Sequence, residues 1–187
     1  MNEASQTAPA STKRKAQLSF LEWCEALAFG WIIVALVFCF LFRVMLVSGS
    51  SMVPTLTNGD RLLVQSVGYQ PKRGDIVIVD GYINYGKPLV KRVIAMEGDT
   101  VDIDYYTGEV FVNGQLLDEP YIAEPTTTPG DTFLPVTLGE DQIFVMGDNR
   151  NHSSDSRSSE IGLLDRRDIL GKAIFRIAPL DTMGRIE

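Results

Sequence analysis

Past residue 39 the sequence has no cysteine, and a single histidine, His152, occurs in its 187 residues. The two cysteines, Cys24 and Cys39, lie at the edge of and within one apolar run. A disulfide framework and a Cys-based metal site are therefore excluded from everything that follows that run. One histidine builds no metal site without carboxylate help, so no metal and no other cofactor is expected. Clustered positive charge is also missing. The chain carries 17 Lys and Arg against 24 Asp and Glu, a net charge of −7. Up to residue 42 the charges cancel, Lys13, Arg14 and Lys15 against Glu3, Glu22 and Glu25, so the acidic excess lies beyond. Phosphate binding needs a gathered basic surface, which argues against nucleic acid as a partner.

What the chain has is a long uncharged stretch. Residues 26–42 read A-L-A-F-G-W-I-I-V-A-L-V-F-C-F-L-F, and V-M-L-V follows Arg43. About 20 apolar residues in a helix span a bilayer core, so this segment is expected to cross a membrane. It exceeds a typical signal-peptide h-region and no A-x-A cleavage site follows it, which favours a retained anchor over a cleaved leader. Three basic residues precede the span and only Arg43 closely follows it, so the N-terminus is expected to stay in the cytoplasm. The expected organisation is a disordered cytoplasmic tail over 1–19, an anchor helix over 20–43 and an exported domain over 44–187, large enough to bury its own core.

Beyond the anchor the pattern becomes short β-rich runs, at 61–67, 75–80, 87–96, 99–104, 109–117, 142–146 and 171–177, bounded by Gly, Pro, Asp and Asn. V-N-G-Q at 112–115 marks a tight hairpin, because Asn-Gly accepts the positive φ angles of a type I′ turn. The fold class expected is mostly β, an antiparallel domain after one transmembrane helix, with long loops over 118–139 and 147–170.

Chemistry enters at V-S-G-S-S-M-V-P-T-L, residues 47–56, a hydroxyl-rich stretch directly after the apolar segment. Gly49 permits close backbone approach and Pro54 restrains its neighbours, so Ser51 sits on a shaped turn. A serine there either ends a membrane helix or serves as a nucleophile, and a nucleophile needs a base. The domain has four lysines. Lys72 and Lys87 lie in turn contexts, and Lys172 opens a late strand. Lys91 lies in K-P-L-V-K-R-V-I-A-M, where alternation puts Leu89, Lys91, Val93 and Ala95 on one face. A lysine among apolar neighbours loses hydration and its pKa falls, as a base near neutral pH requires, although an edge lysine reaching water fits the same spacing.

The ordered blocks S-G-S-S-M-V-P-T-L, G-D-R-L-L-V, R-G-D-I-V-I-V, K-R-V-I-A-M-E-G-D-T-V and G-D-N-R-N-H-S-S-D-S-R resemble those of type I signal peptidases, from about residue 42 to 177. The single anchor is similar to the short subfamily. The resemblance implies a domain of antiparallel coiled β-sheets and a membrane-anchored serine endopeptidase that cuts signal peptides from secreted precursors, after small residues, at the outer face of the cytoplasmic membrane. It implies Ser51 as nucleophile, Lys91 as general base and Ser153 as the residue that orients the lysine. It also implies Asp148 paired with Arg92, and Asp155 with Arg157, as supports. The candidate oxyanion donors are the backbone N–H of Ser51, a neighbouring backbone N–H and the hydroxyls of Ser48 and Ser50; in an extended segment those two hydroxyls face away from Ser51, so a mainly backbone hole is expected. Many members carry at position 49 a serine that helps; here it is Gly49, a substitution relatives make, so Gly49→Ser is expected to be tolerated. Secretory precursors and membrane lipid are the implied partners. The competing readings are a related Ser-Lys processing or self-cleaving protease, a Ser-His variant using His152, and a non-enzymatic membrane-anchored β-module.

Overall fold

The computed structural model describes residues 10–80 and 86–186, with side chains from Phe20 onward. It divides into two units, Met1–Leu41 and Phe42–Glu187. The first contains the helix α1, Ala10–Leu41. Its part Phe20–Leu41 has a mean hydropathy of 2.4 and is long and apolar enough to cross a membrane. Large side chains such as Trp31 and Phe40 stand exposed around it, the surface of a helix that is apolar on every side rather than amphipathic. The helix starts at Ala10, inside the stretch 1–19 expected to be a disordered tail; the rest of that expectation, residues 1–9, lies outside the described residues. It ends at Leu41, two residues before the expected boundary at 43.

The second unit is mostly β and entirely antiparallel. Its strands are β1 (Phe42–Leu46), β2 (Arg61–Gln65), β3 (Ile76–Val79), β4 (Leu89–Met96), β5 (Thr100–Asp104), β6 (Glu109–Val112), β7 (Gln115–Leu116), β8 (Val136–Thr137), β9 (Gln142–Met146), β10 (Leu164–Asp165), β11 (Ile169–Ala178) and β12 (Gly184–Arg185). One sheet runs β1-β2-β11-β3-β4-β9-β10, with β12 on β11; a smaller one runs β7-β6-β5-β8. The Asn-Gly hairpin forms as its sequence dictates. Asn113 and Gly114 take φ of 55° and 74°, and Val112 pairs with Gln115. Strand β1 was not expected, because its F-R-V-M-L residues continue the apolar run and carry no alternation of their own. The expected long loops hold β8 and β10, each two residues long, and 3-10 turns at Arg150–His152 and Arg166–Asp168.

Two features of the large sheet bear on chemistry. Strand β3 is buried at all four residues, so it is covered on both faces and its I-V-I-V sequence is a continuous apolar run. Its neighbour β4 is buried from Lys91 to Ala95. A bulge between Val93 and Ala95 interrupts the expected alternation, so Leu89 and Val93 pack in one apolar cluster and Ala95 joins Ile94 in another. Lys91 and Arg92, on opposite faces of this covered strand, are both enclosed.

Candidate active site

Ser51 sits on a turn that leaves β1 and returns to β2. Met52 and Leu56 anchor the turn in the core beside Val47, Leu62 and Val64. Its backbone closes on itself through Val53 N–H to Ser50 O and Leu56 N–H to Met52 O, at 3.1 and 2.8 Å. Asp60, nearly sealed from solvent, accepts from the backbone N–H and hydroxyl of Thr57 and pairs with Arg176 at 3.2 Å. Arg176 also donates to Thr55 O at 2.6 Å. Gly49 has φ of 102°, and its N–H is held by Asn58 Oδ1 at 3.0 Å. That φ corrects the expectation for Gly49→Ser: space is open around the missing Cβ, but the backbone conformation is one that L residues rarely adopt.

Lys91 reaches this turn from β4. Its Nζ lies 2.7 Å from Ser51 Oγ, and the residue is 2% exposed. Loss of hydration pulls the amine down to a pKa of about 8, with Asp155 and Asp148 resisting the shift and Arg157 and Lys87 assisting it. The apolar neighbours in the sequence thus correspond to a dehydrated amine rather than one that extends to water.

The support residues form two ion pairs. Asp148, fully buried, accepts from Arg92 Nε at 2.9 Å and from its terminal nitrogen at 2.8 Å, and from Thr55 Oγ1 at 2.5 Å. The Arg92 guanidinium lies 3.9 Å from the Tyr121 ring centre and donates to Gly74 O. Asp155, also fully buried, accepts from Arg157 Nε at 2.8 Å and from Gly147 N–H at 3.0 Å. Burial works against its charge, but the hydrogen bonds of Arg157 hold its carboxyl below the usual range. Asp148, Asn149 and Arg150 read in isolation as a solvated turn; in the structure Asp148 is 0% and Arg150 1% exposed.

Ser153 differs from the expectation. Its Oγ is enclosed and makes no hydrogen bond to Lys91, so the bond implied by the resemblance is not formed. The hydroxyl sits against Gly147, near enough to the Asp155 carboxylate to help keep that acid ionised, while Lys91 is engaged by Ser51.

Several residues of the site carry no separate signal in the sequence. Gly147 is wedged between the two serines: a Cβ there would lie 2.4 Å from Ser51 O and 2.3 Å from Ser153 Oγ. Asn149 contacts the backbone of the Ser51 turn. Arg150 binds both oxygens of Glu119, with Thr126 and the Gly147 carbonyl as further acceptors. Only the G-D-N-R block as a whole points to this neighbourhood.

A groove of about 200 Å³ opens over the pair, lined by residues 45–52 and 87–91, His152 and Ser154. Strand β1 ends the large sheet, so among the described residues no strand pairs with its outer edge, and β4 pairs with β9 only from Arg92 onward. Two stretches of backbone therefore flank the groove with hydrogen-bonding groups to offer. No group of His, Cys, Asp and Glu arranged to hold a metal ion occurs among the described residues.

Comparison with known proteins gives one answer. The family model for signal peptidase, peptidase S26, matches residues 20–178. Signal peptidase I of Bacillus licheniformis is 38% identical, over 95% of this chain and 97% of that protein. Signal peptidase I T of Bacillus subtilis is 38% identical over 98% of each. The probable signal peptidase I-1 of Synechocystis sp. is 39% identical over 83% of each. A crystal structure of a signal peptidase I from Enterococcus faecalis aligns with a TM-score of 0.48 and 29% identity, covering 56% of this chain and 97% of that one. With a family match across most of its length and full-length relatives at this identity, the chain belongs to the signal peptidase family, peptidase S26, and is an enzyme of the signal peptidase I type.

Proposed function

We propose that this chain is a membrane-anchored serine endopeptidase that removes signal peptides from secretory precursors at the outer face of the cytoplasmic membrane, with Ser51 as nucleophile and Lys91 as general base. The observation that carries the reading is the 2.7 Å approach of a dehydrated lysine amine to a serine hydroxyl, both lining one groove. A non-enzymatic β-module has no use for such a pair, and Ser51 Oγ is partnered by Lys91 rather than by His152. An extended precursor segment enters the groove and adds along the outer edge of β1 or of the first residues of β4, in the manner of strand addition. Small residues before the cut fit the shallow space beside Ser51. Neutral Lys91 takes the hydroxyl proton as Ser51 Oγ adds to the scissile carbonyl, and the Ser51 N–H receives the oxyanion. The resulting ammonium returns its proton to the departing amine. Lys91, neutral again, then deprotonates the water that releases the acyl group.

Because only the neutral amine accepts the serine proton, turnover is expected to rise roughly tenfold per pH unit below the Lys91 pKa of about 8 and to level off above it. A pH-rate profile on a synthetic signal-peptide substrate checks this, and a flat profile from pH 6 to 9 contradicts it. The same shift bears on folding. Between about 8 and the ordinary 10.5 the unfolded chain binds more protons, so this group adds to stability as pH rises through that window.

Residues 20–43 serve as the anchor and 44–187 as the exported catalytic domain, with Lys13, Arg14 and Lys15 holding the N-terminus in the cytoplasm. Anchoring confines enzyme and tethered precursor to one surface and raises their effective concentration. Protease added outside intact spheroplasts is expected to digest residues 44–187 and to spare a tag at residue 2. Loss of the tag instead would reverse the orientation. The direct test of function is cleavage of a precursor in liposomes by the wild-type chain and by Ser51→Ala.

A further inference from the structure

We propose that Asn149 is a positioning residue that aims the oxyanion donor, acting through the peptide unit between Ser50 and Ser51; this rests on Ser51 being the nucleophile. Asn149 holds two successive carbonyls of the nucleophile turn. Its side-chain Nδ2 donates to Ser50 O at 3.0 Å, and its backbone N–H donates to Ser51 O at 3.0 Å. Val53 N–H donates to the same Ser50 oxygen at 3.1 Å. The Ser50–Ser51 bond is not among the cis peptides, and in a planar trans unit the C=O and the following N–H point in opposite directions. Fixing the Ser50 carbonyl toward Asn149 therefore fixes the Ser51 N–H away from it. That N–H has no hydrogen-bond acceptor among the described residues, as a donor reserved for a ligand requires.

The alternatives at this position are few. Gly49 has no hydroxyl to offer, and its N–H is already taken by Asn58. The Ser51 N–H is then a free backbone donor beside the Ser51 hydroxyl, and its direction is set by Asn149. Asn149 is itself firmly placed. Asp148 before it is bound to Arg92 and Thr55, and Arg150 after it is buried on Gly147 O, Glu119 and Thr126. A donor misaimed by loss of the Asn149 amide keeps its place in the groove but fits the tetrahedral intermediate poorly. Substrate binding then survives while the chemical step suffers.

The test uses the full chain in detergent with Asn149→Ala and with Asn149→Asp, which is nearly isosteric but cannot donate. Two ligands of one signal-peptide sequence are compared: a peptide aldehyde, whose adduct with Ser51 places an oxyanion in the hole, and an uncleavable peptide that only fills the groove. Both variants are expected to lower kcat about 10- to 100-fold, below the full loss of a donor, with KM changed by less than about threefold. Aldehyde affinity should fall at least about tenfold while the uncleavable peptide changes by less than about threefold, and the pH midpoint of Asn149→Ala should stay where it is. Equal weakening of both ligands, wild-type kcat in Asn149→Asp, or failure of both variants to fold would overturn the proposal, the last by making Asn149 part of the scaffold. Ser51→Ala in parallel separates the two levels. If it remains active, the nucleophile assignment has failed; if it is inactive while the Asn149 variants behave as wild type, only the positioning role has failed.

Discussion

Ser51→Ala and Lys91→Ala are each expected to lower precursor cleavage by about a thousandfold or more, and the double variant to be little worse than either, because groups that act as one unit lose their effect together. Neither change should unfold the domain. Ser51 lies on a turn held by Met52, Leu56, Asp60 and Arg176 rather than by its own hydroxyl. Removing Lys91 deletes an amine whose charge is disfavoured where it sits. The measurement is turnover of a signal-peptide substrate beside thermal melting of each variant. A Lys91→Ala enzyme with a tenth of wild-type activity and an unchanged fold would remove the lysine from the mechanism.

The largest loss of stability is expected at Asp148. Its substitution by alanine leaves the Arg92 guanidinium, 3% exposed, without its carboxylate, and breaking a buried pair from one side typically costs about 3–5 kcal/mol. Thr55 Oγ1 loses its acceptor in the same step, so the Ser51 turn loosens as the sheet is destabilised. Urea denaturation of wild type and Asp148→Ala measures the difference. A loss below about 1 kcal/mol would mean that the remaining contacts of Arg92, Tyr121 and Gly74 O among them, suffice to hold it.

How far the sequence carried depended on the range of the interaction. The Asn113-Gly114 hairpin and the strands around it are local, set by turn chemistry and alternation within a few residues. Lys91 was legible because its apolar neighbours are adjacent in sequence, although alternation alone allowed a route to water that burial of β4 on both faces removes. Arg92 and Asp148 are 56 residues apart, and only the resemblance of ordered blocks joined them. The same blocks gave no warning that Ser153 faces Gly147 instead of bonding Lys91, or that Gly49 has a positive φ, since both follow from how distant loops pack. Strand β1 was hidden for a simpler reason: five residues of an apolar run look alike whether they continue a helix or pair with β2.

The two ion pairs beside Lys91 have an effect beyond holding the scaffold. Each carboxylate near the amine carries its own arginine, Asp155 with Arg157 and Asp148 with Arg92, so the lysine faces two nearly neutral dipoles in place of two free anions. Attraction from Asp155 is offset by repulsion from Arg157, and what remains to set the proton affinity of Lys91 is exclusion of water. Mobile ions screen exposed charges well and enclosed ones poorly. The readiness of Ser51 is thereby insulated from ionic strength.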